Sequence, residues 1–549
     1  MASEMASALG LLLGRPSSGV ADFLSAGGAW ERAPMLCRAT PERRELAEAT
    51  PTAERYAELL EELGGLHGTD VQASRFDAAA GERETLAVDE ATAETPVKRK
   101  RMLHLLRKDG ATLQVHQPQR FVDSLWALAA GMEAELGSLC GANAYLTPAG
   151  SQGLAPHYDD VEVFVLHAHG RKRWRVYAPL AAEGRELPRE CSGDLPREVL
   201  GKPELDVTLE PGDMLYLPRG TPHEAMAQGE GDETTSVHVT LSAYQKWTVG
   251  DLCTAVCSAA GEQPAGSAAA PALGARRGLP ARMALSRAAR GSAAPLVAAE
   301  LRRLANELDK MGADSAALCA GIDLMAADFM ASRLPPLPVD TLPSALALPR
   351  ARPAPNTMPD EGSCVRVASP GCVRVEGIGM GGDSVRVVSC LANEREAHMM
   401  PPEDSDSDDD SDGDGMDTGK RPGFLSGVRE AYERIFAARG AGARSRRVGS
   451  VDVSEDSDDG PDGQGDKEEN GAWLPAEYAT AVEELLEAGM EGVKVNELKL
   501  PRLDERVALA RTLWSVGLLV TVDGVGGGRG KRKQKTSHRD QHRDKRARE

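Results

Sequence analysis

The feature that most constrains this chain lies between residues 141 and 245, where short alternating or β-branched runs are separated by Gly/Pro turns. Seven runs stand out, at residues 143–147, 161–166, 172–178, 206–209, 213–217, 224–227 and 236–242. Period-two runs of this length, bounded by turn residues, read as antiparallel strands. Seven or eight short strands in one stretch point to a barrel or jelly roll.

The chain has 549 residues, too many for a single core, so the β-rich stretch is one domain among several. Upstream, a helix is expected at residues 52–63 and a strand at 111–116. Downstream the pattern turns helical, at residues 252–259, 280–289, 294–311 and 315–332, and a Pro-rich linker follows at 335–355. Three small β-type segments come next, at residues 364–367, 372–375 and 385–389. Beyond an acidic, Ser/Asp/Gly-rich stretch at 401–470, residues 475–488 and 504–516 have helical period and 518–522 read as a strand. The acidic stretch is short of core-forming residues and is expected to be disordered; within it only residues 424–438 read as an amphipathic helix.

The net charge of −20 describes the inserts more than the folded body. Residues 401–417 hold nine acids and no base, and residues 452–469 hold nine acids against Lys467. The last 21 residues, from Arg529, hold ten Lys/Arg against three acids. No stretch approaches the ~18 consecutive apolar residues of a membrane helix. The nine cysteines are scattered without a ribbon or redox spacing, as expected of reduced thiols in an intracellular protein.

The chemistry concentrates at APHYDDVEVFVLHAHGRKRWRVYAP. His157 and Asp159, two residues apart on extended backbone, project to one face and can grip one metal. Two further HxD triplets, at His538/Asp540 and His542/Asp544, sit in the basic tail without a scaffold. His223 follows a strand and a tight turn, 66 residues beyond His157, so a barrel could return it to the same ion. Two His and one carboxylate on one octahedral face leave three positions open, the arrangement of non-haem Fe(II) oxygenases. The competing reading makes the three residues unrelated turn and strand-end groups.

In Arg171-Lys172-Arg173-Trp174-Arg175-Val176, alternation puts Lys172 with Trp174 and Val176 on the inner face. A buried lysine is costly unless an anion neutralises it, and the far carboxylate of a metal-chelating oxo-acid would do so. The alternative is a solvated basic strand with a snorkelling Lys172. Asn143, Tyr145 and Thr147 share one strand face, and Thr240 and Ser242 another, as candidates for orienting a substrate or as cross-strand hydrogen-bonding pairs. His238, on the face of Thr240 and Ser242, reads as structural.

The motifs NAYLTPAGSQGLAPHYDDVEVFVLHAHGRKRWRVY, PGDMLYLPRGTPHEA and HVTLSAYQKWTVGDL, with FLSAGGAWERAPML more loosely, resemble the JmjC-type ribosomal oxygenases. The resemblance implies an α+β chain. It would comprise an N-terminal flank (1–120), a JmjC double-stranded β-helix (121–246), a helical dimerisation domain (247–334) and a linker (335–356). A winged-helix domain in two parts (357–399 and 471–524) would surround a disordered acidic insertion (400–470), with a basic tail at 525–549. The insertion departs from the family's compact form.

That resemblance also implies Fe(II) held by His157, Asp159 and His223, and 2-oxoglutarate held by Lys172 and, less directly, Thr240. Substrate is assigned to Asn143, Tyr145 and Ser242, O2 is the oxidant, and no catalytic side chain is needed beyond the metal ligands. The implied activity is hydroxylation of a ribosomal-protein histidine in the nucleus, with the nucleolus as the expected site; the implied state is a homodimer. A histone lysine demethylase, with histone H3 as partner, would use the same iron site.

Two other classes compete: a non-catalytic nuclear scaffold with a cupin barrel, and a zinc hydrolase using Asp160 or Glu224 as base. Basic runs at residues 98–101 and 530–535 resemble nuclear-import signals, and any nucleic-acid contact is expected only through the basic tail.

Overall fold

The computed structural model describes residues 7–77, 80–87, 96–180, 187–229, 235–244, 248–262, 287–312, 315–336, 357–369, 371–377, 384–400, 471–489 and 491–522. The acidic stretch with its expected helix, most of the Pro-rich linker and the basic tail lie outside the described residues.

Four strands precede the β-rich stretch: β1 (Met35–Cys37), β2 (Val71–Asp77), β3 (Glu82–Leu86) and β4 (Thr112–His116). The seven expected strands all form, as β5 (Cys140–Pro148), β6 (Glu162–His169), β7 (Arg171–Val176), β8 (Leu205–Leu209), β9 (Met214–Leu217), β10 (His223–Gln228) and β11 (Thr235–Ala243). They make two facing sheets, an eight-stranded one in the order β1-β9-β6-β11-β5-β4-β2-β3 and a three-stranded one in the order β10-β7-β8. Every strand pairing in both is antiparallel. The fold is the expected jelly roll, and the larger sheet draws half its strands from the first 120 residues.

Alternation decides which side chains enter the jelly roll. On β5 and β11, Ala142, Ala144, Leu146, Val237, Val239 and Leu241 point outward into a core completed by the N-terminal helices. Their neighbours Asn143, Tyr145, Thr147, His238, Thr240 and Ser242 therefore point inward. On β7, Trp174 and Val176 join the internal apolar cluster. Arg171 and Arg173 face out to Glu210 and Asp206, at 3.3 and 2.6 Å. Gly170, the hinge between β6 and β7, has φ +67°, and a Cβ there would stand 3.0 Å from the Ser236 Cα and the Thr235 carbonyl oxygen, so this turn between the two sheets requires glycine.

Six helices cover the outer face: α1 (Ala8–Leu13), α2 (Ser17–Leu24), α3 (Pro41–Ala49), α4 (Ala53–Glu62), α5 (Arg99–Arg107) and α6 (Asp123–Leu136). Ser7, Thr40 and Thr52 cap three of them, each side chain accepting a backbone N–H three residues on. Phe23 and Trp30 pack on Tyr216, with centroids 4.9 and 6.1 Å away, which ties residues 23–36 to the sheet that carries the site. Residues 98–101 are built into the start of α5, with Arg99 on Glu58 at 3.3 Å and Arg101 on Asp109 at 3.5 Å.

After the jelly roll come α7 (Val249–Glu262), α8 (Arg287–Met311) and α9 (Ala316–Ser332); part of the expected helix at 280–289 lies outside the described residues. Gly321 lets α9 approach α7, since a Cβ would sit 2.9 Å from the Val256 backbone nitrogen. No single helix among the described residues is long and apolar enough to cross a membrane.

The C-terminal strands are β12 (Cys364–Val367), β13 (Val373–Glu376), β14 (Ser384–Ser389), β15 (Gly471–Pro475), β16 (Val493–Lys494) and β17 (Leu519–Val522). They form two three-stranded sheets, β16-β12-β17 and β13-β14-β15, around the helices Ala479–Ala488 and Leu503–Ser515. The pairing of β14 with β15 joins the chain across residues 401–470.

Candidate active site

The two sheets part around a cleft lined by His157, Asp159, Lys172, Trp174, His223 and His238, with Tyr145, Thr240 and Ser242 among its other walls. The backbone sets the two metal-ligand candidates opposite each other. His157 and His223 form an isolated antiparallel bridge, with each N–H donating to the other's carbonyl oxygen at 3.1 and 2.8 Å. Gly220 N–H donates to the Asp159 carbonyl at 2.8 Å, holding the turn before His223 against the HxD segment.

The side chains converge from that frame. Asp159 Oδ1 lies 3.8 Å from His157 Nε2, and Oδ2 lies 3.7 Å from His223 Nε2. All three offer a donor atom within 4.8 Å of the others. Both imidazoles have the same tautomer imposed on them, because His157 Nδ1–H donates to the Ala155 carbonyl at 2.8 Å and His223 Nδ1–H to the Thr221 carbonyl at 3.0 Å. Each Nε2 is thereby left as a lone-pair donor toward Asp159. Burial, reinforced by His157, pushes His223 down to about 4, so it is neutral near pH 7. Two imidazoles presenting Nε2 and one carboxylate are the donor set that fits a divalent first-row ion.

Lys172 is buried at 4% exposure, and burial lowers its ammonium to about 7. Its Nζ donates to Thr147 Oγ1 at 2.9 Å, and that oxygen also meets Thr112 Oγ1 at 3.2 Å. No carboxylate pairs with Lys172 among the described residues. The cleft therefore has a metal-ligand cluster at one point and an uncompensated buried cation at another.

Of the remaining expected residues, Tyr145, Thr240 and Ser242 line the cleft. Asn143 stands one position back, absent from that lining among the described residues; its Oδ1 meets the Gln117 N–H at 3.5 Å, and its side chain hydrogen-bonds Tyr145. His238, expected to be structural, lies in the cleft wall, stacked on Tyr145 at 4.8 Å and 5°. The contact follows from the cross-strand pairing of His238 with Tyr145, a register that one strand's sequence does not announce.

Neither base suggested for a zinc hydrolase is placed to act as one. Glu224 accepts from Tyr177 Oη at 2.7 Å and from Arg197 at 2.7 Å, with Arg175 at 3.2 Å. Burial acts to raise its carboxyl, but the Tyr177 hydroxyl and the two guanidiniums outweigh it and hold the group below its usual range. Asp160 Oδ1 accepts from Cys191 Sγ at 3.3 Å.

Residues 114–250 match the family model described as the JmjC domain. The chain is 51% identical over 150 residues to ribosomal oxygenase 2 of Rattus norvegicus, covering 27% of this chain and 31% of that protein. It is 46% identical over 143 residues to the bifunctional lysine-specific demethylase and histidyl-hydroxylase NO66 of Drosophila persimilis, covering 26% of this chain and 20% of that one. A solved structure of YcfD, a ribosomal oxygenase from Escherichia coli in complex with cobalt and 2-oxoglutarate, is similar over 65% of this chain and 81% of that chain, at 17% identity and a TM-score of 0.32. The chain thus spans about a third of the length of the rat relative. The resemblance carried by the three motifs is borne out across the jelly roll.

Proposed function

We propose, on the premise that residues 114–250 form a JmjC domain, that this chain is an Fe(II)- and 2-oxoglutarate-dependent dioxygenase that hydroxylates a histidine of a ribosomal protein. The observation that carries the reading is a two-histidine, one-carboxylate cluster sharing one cleft with a buried Lys172 that has no carboxylate partner among the described residues. A scaffold gains nothing from that costly lysine, whereas a dicarboxylic oxo-acid satisfies both features.

In this reading His157, Asp159 and His223 hold the iron, which when bound supplies the O2 chemistry that converts 2-oxoglutarate to succinate and CO2 and inserts one oxygen atom into a substrate C–H bond. The chain's own residues bind and orient. The carbonyls of Ala155 and Thr221 fix the ligand tautomers. Lys172, steadied by Thr147, receives the distal carboxylate, and Thr240 lies in the same wall. Tyr145 and Ser242 face the cleft where a histidine side chain would enter, with Asn143 acting through its hydrogen bond to Tyr145. Val163, Trp174 and Ala225 supply apolar wall that limits water. No side chain serves as a general base.

The substrate class is supported by what the relatives are: ribosomal oxygenases on one side, a bifunctional demethylase and histidyl-hydroxylase on the other. Lysine demethylation, with histone H3 as substrate, is therefore the second reading. We assign helical dimerisation to residues 247–334, supported by Leu296, Val297 and Leu301, each more than half exposed on α8. Residues 357–399 and 471–524 are read as one winged-helix domain, supported by their shared apolar core. Nuclear, and specifically nucleolar, residence is read from the basic tail.

Mass spectrometry of ribosomal proteins and histone peptides, incubated with the purified chain, Fe(II), 2-oxoglutarate and O2, tests this reading. One added oxygen on a histidine, absent with His157→Ala, is the expected result. Methyl loss from lysine alone would move the activity to demethylation, and no change in either pool would contradict both readings.

A further inference from the structure

His238 is 3% exposed and is enclosed by aromatic rings. Tyr145 stacks on it at 4.8 Å, and Trp174 meets it edge-on at 5.2 Å and 87°. Neither ring face offers a conventional acceptor or donor, and His238 Nδ1 is buried without a hydrogen-bond partner among the described residues. The indole Nε1–H of Trp174 is likewise buried and unpartnered. Both residues line the cleft. Buried polar groups are almost always satisfied, so two orphans touching across the cleft, one from each sheet, mark a place where something polar belongs.

Position narrows what that is. His238 and Thr240 share the inward face of β11, and Lys172 precedes Trp174 by two residues on the inward face of β7. The orphaned pair therefore lies on the strand faces that also carry Lys172 and Thr240, and Trp174 packs against the His223 ring as well, with centroids 5.7 Å apart, so the pair stands where an oxo-acid reaching from the metal-ligand cluster toward Lys172 would pass. His167, the cross-strand neighbour of His238, also has an unpartnered Nδ1, but its Nε2 bonds the Gly170 carbonyl at 3.0 Å and it is absent from the cleft lining. Burial pushes His238 well below its ordinary value, with the Lys172 charge acting in the same direction, so the ring is neutral and offers one N–H and one lone pair.

Resting on the oxygenase reading above, we infer that His238 is a co-substrate-binding residue, a neutral N–H donor that holds the distal carboxylate of the oxo-acid alongside Lys172 while Trp174 closes the same pocket. The aromatic clamp pre-orients the imidazole, so the anion meets a fixed donor and little ordering is needed on binding. The pocket should then select dicarboxylic over monocarboxylic oxo-acids through two residues, of which only Lys172 carries charge.

The test is calorimetric titration of the full chain, loaded with Mn(II), with 2-oxoglutarate and separately with pyruvate, which lacks the distal carboxylate. His238→Phe keeps the stacking surface and removes both nitrogens. It is expected to weaken 2-oxoglutarate binding about tenfold or more, the scale of a hydrogen bond to a charged group, with pyruvate binding and Mn(II) affinity unchanged. His238→Gln, which restores a donor, should recover most of the loss. The inference is overturned if His238→Phe binds 2-oxoglutarate as the wild type does, or if it loses Mn(II) and both acids together, the mark of a structural role. A wild-type chain that binds Mn(II) but no 2-oxoglutarate would overturn the oxygenase reading and this inference with it.

Discussion

The jelly roll and the C-terminal unit are both built from short antiparallel strands with alternating apolar residues, yet their interiors differ in kind. The apolar cluster of the C-terminal core is Val, Leu and Ala, from Val365 to Leu519, and the buried polar groups beside it include Glu376 and Thr521, one on each of its two sheets. The jelly roll buries Asp159, Lys172, His223, His238 and Thr240 among its apolar residues. Each of those groups costs desolvation energy that a Val would not, and all of them face one cleft. The same strand grammar thus yields a unit whose interior mainly packs and one whose buried polar groups converge on a single cleft.

If that contrast holds, substitutions in the two interiors should damage different properties. The largest effect expected is from His157→Ala, which removes one ligand from the cluster. Turnover should fall on the order of a thousandfold or more, while the melting temperature of the metal-free chain changes little, since His157 is partly exposed. A turnover assay with Fe(II) and a thermal melt of the metal-free chain check both halves.

In the C-terminal core, Leu509→Ala, at 1% exposure, should cost about 2–5 kcal/mol of that unit's stability and leave Mn(II) affinity in the cleft untouched. A loss of metal binding in this variant would break the separation between the two regions.

Lys172→Met should do what no C-terminal core substitution can, abolishing co-substrate binding while stabilising the ligand-free fold. The folded value of Lys172, about 7, lies below the ordinary 10.5. The unfolded chain therefore binds the extra proton between those values, and stability contributed by this site rises with pH across that window. The penalty is complete below pH 7 and gone above 10.5, so the variant should gain roughly 2–4 kcal/mol at pH 7 and nothing at the alkaline limit. Urea unfolding across that pH range measures it.

Glu224→Gln removes the partner of Arg175 and Arg197 at the cleft rim. Because the folded carboxyl sits below its ordinary 4.5, its contribution is present above that value and is lost as the pH falls through the folded one. A loss of about 1 kcal/mol at pH 7 is expected, and the difference from wild type should vanish in strong acid. Arg55→Ala, which breaks exposed pairs to Glu58 and Glu62, should leave the thermal melt indistinguishable from wild type, because solvent screens such pairs.

What could be read from the sequence was local. His157, Asp159 and His223 were legible because an HxD on extended backbone and a histidine after a strand and tight turn are short-range patterns, and Lys172 followed from its alternation with Trp174. The inward face of β11 was not legible, because it depends on which side of the sheet α1 to α6 cover. His238 reads as structural from the sequence for the same reason, since its contacts with Tyr145 and Trp174 come from two different sheets. The strands β1 and β3, three residues and the charged run ERETL, carry no apolar alternation that would mark them in the sequence. They are held by pairing to β9 and β2 rather than by their own propensity.

The most direct test of the central claim is conversion of 2-oxoglutarate to succinate by the purified chain with Fe(II) and O2, followed by NMR, in the presence and absence of ribosomal protein. The account predicts succinate formation that rises with the protein substrate and is lost in both His157→Ala and Lys172→Met. Succinate that forms equally well in Lys172→Met, or none at all from a wild-type chain that holds iron, would contradict it.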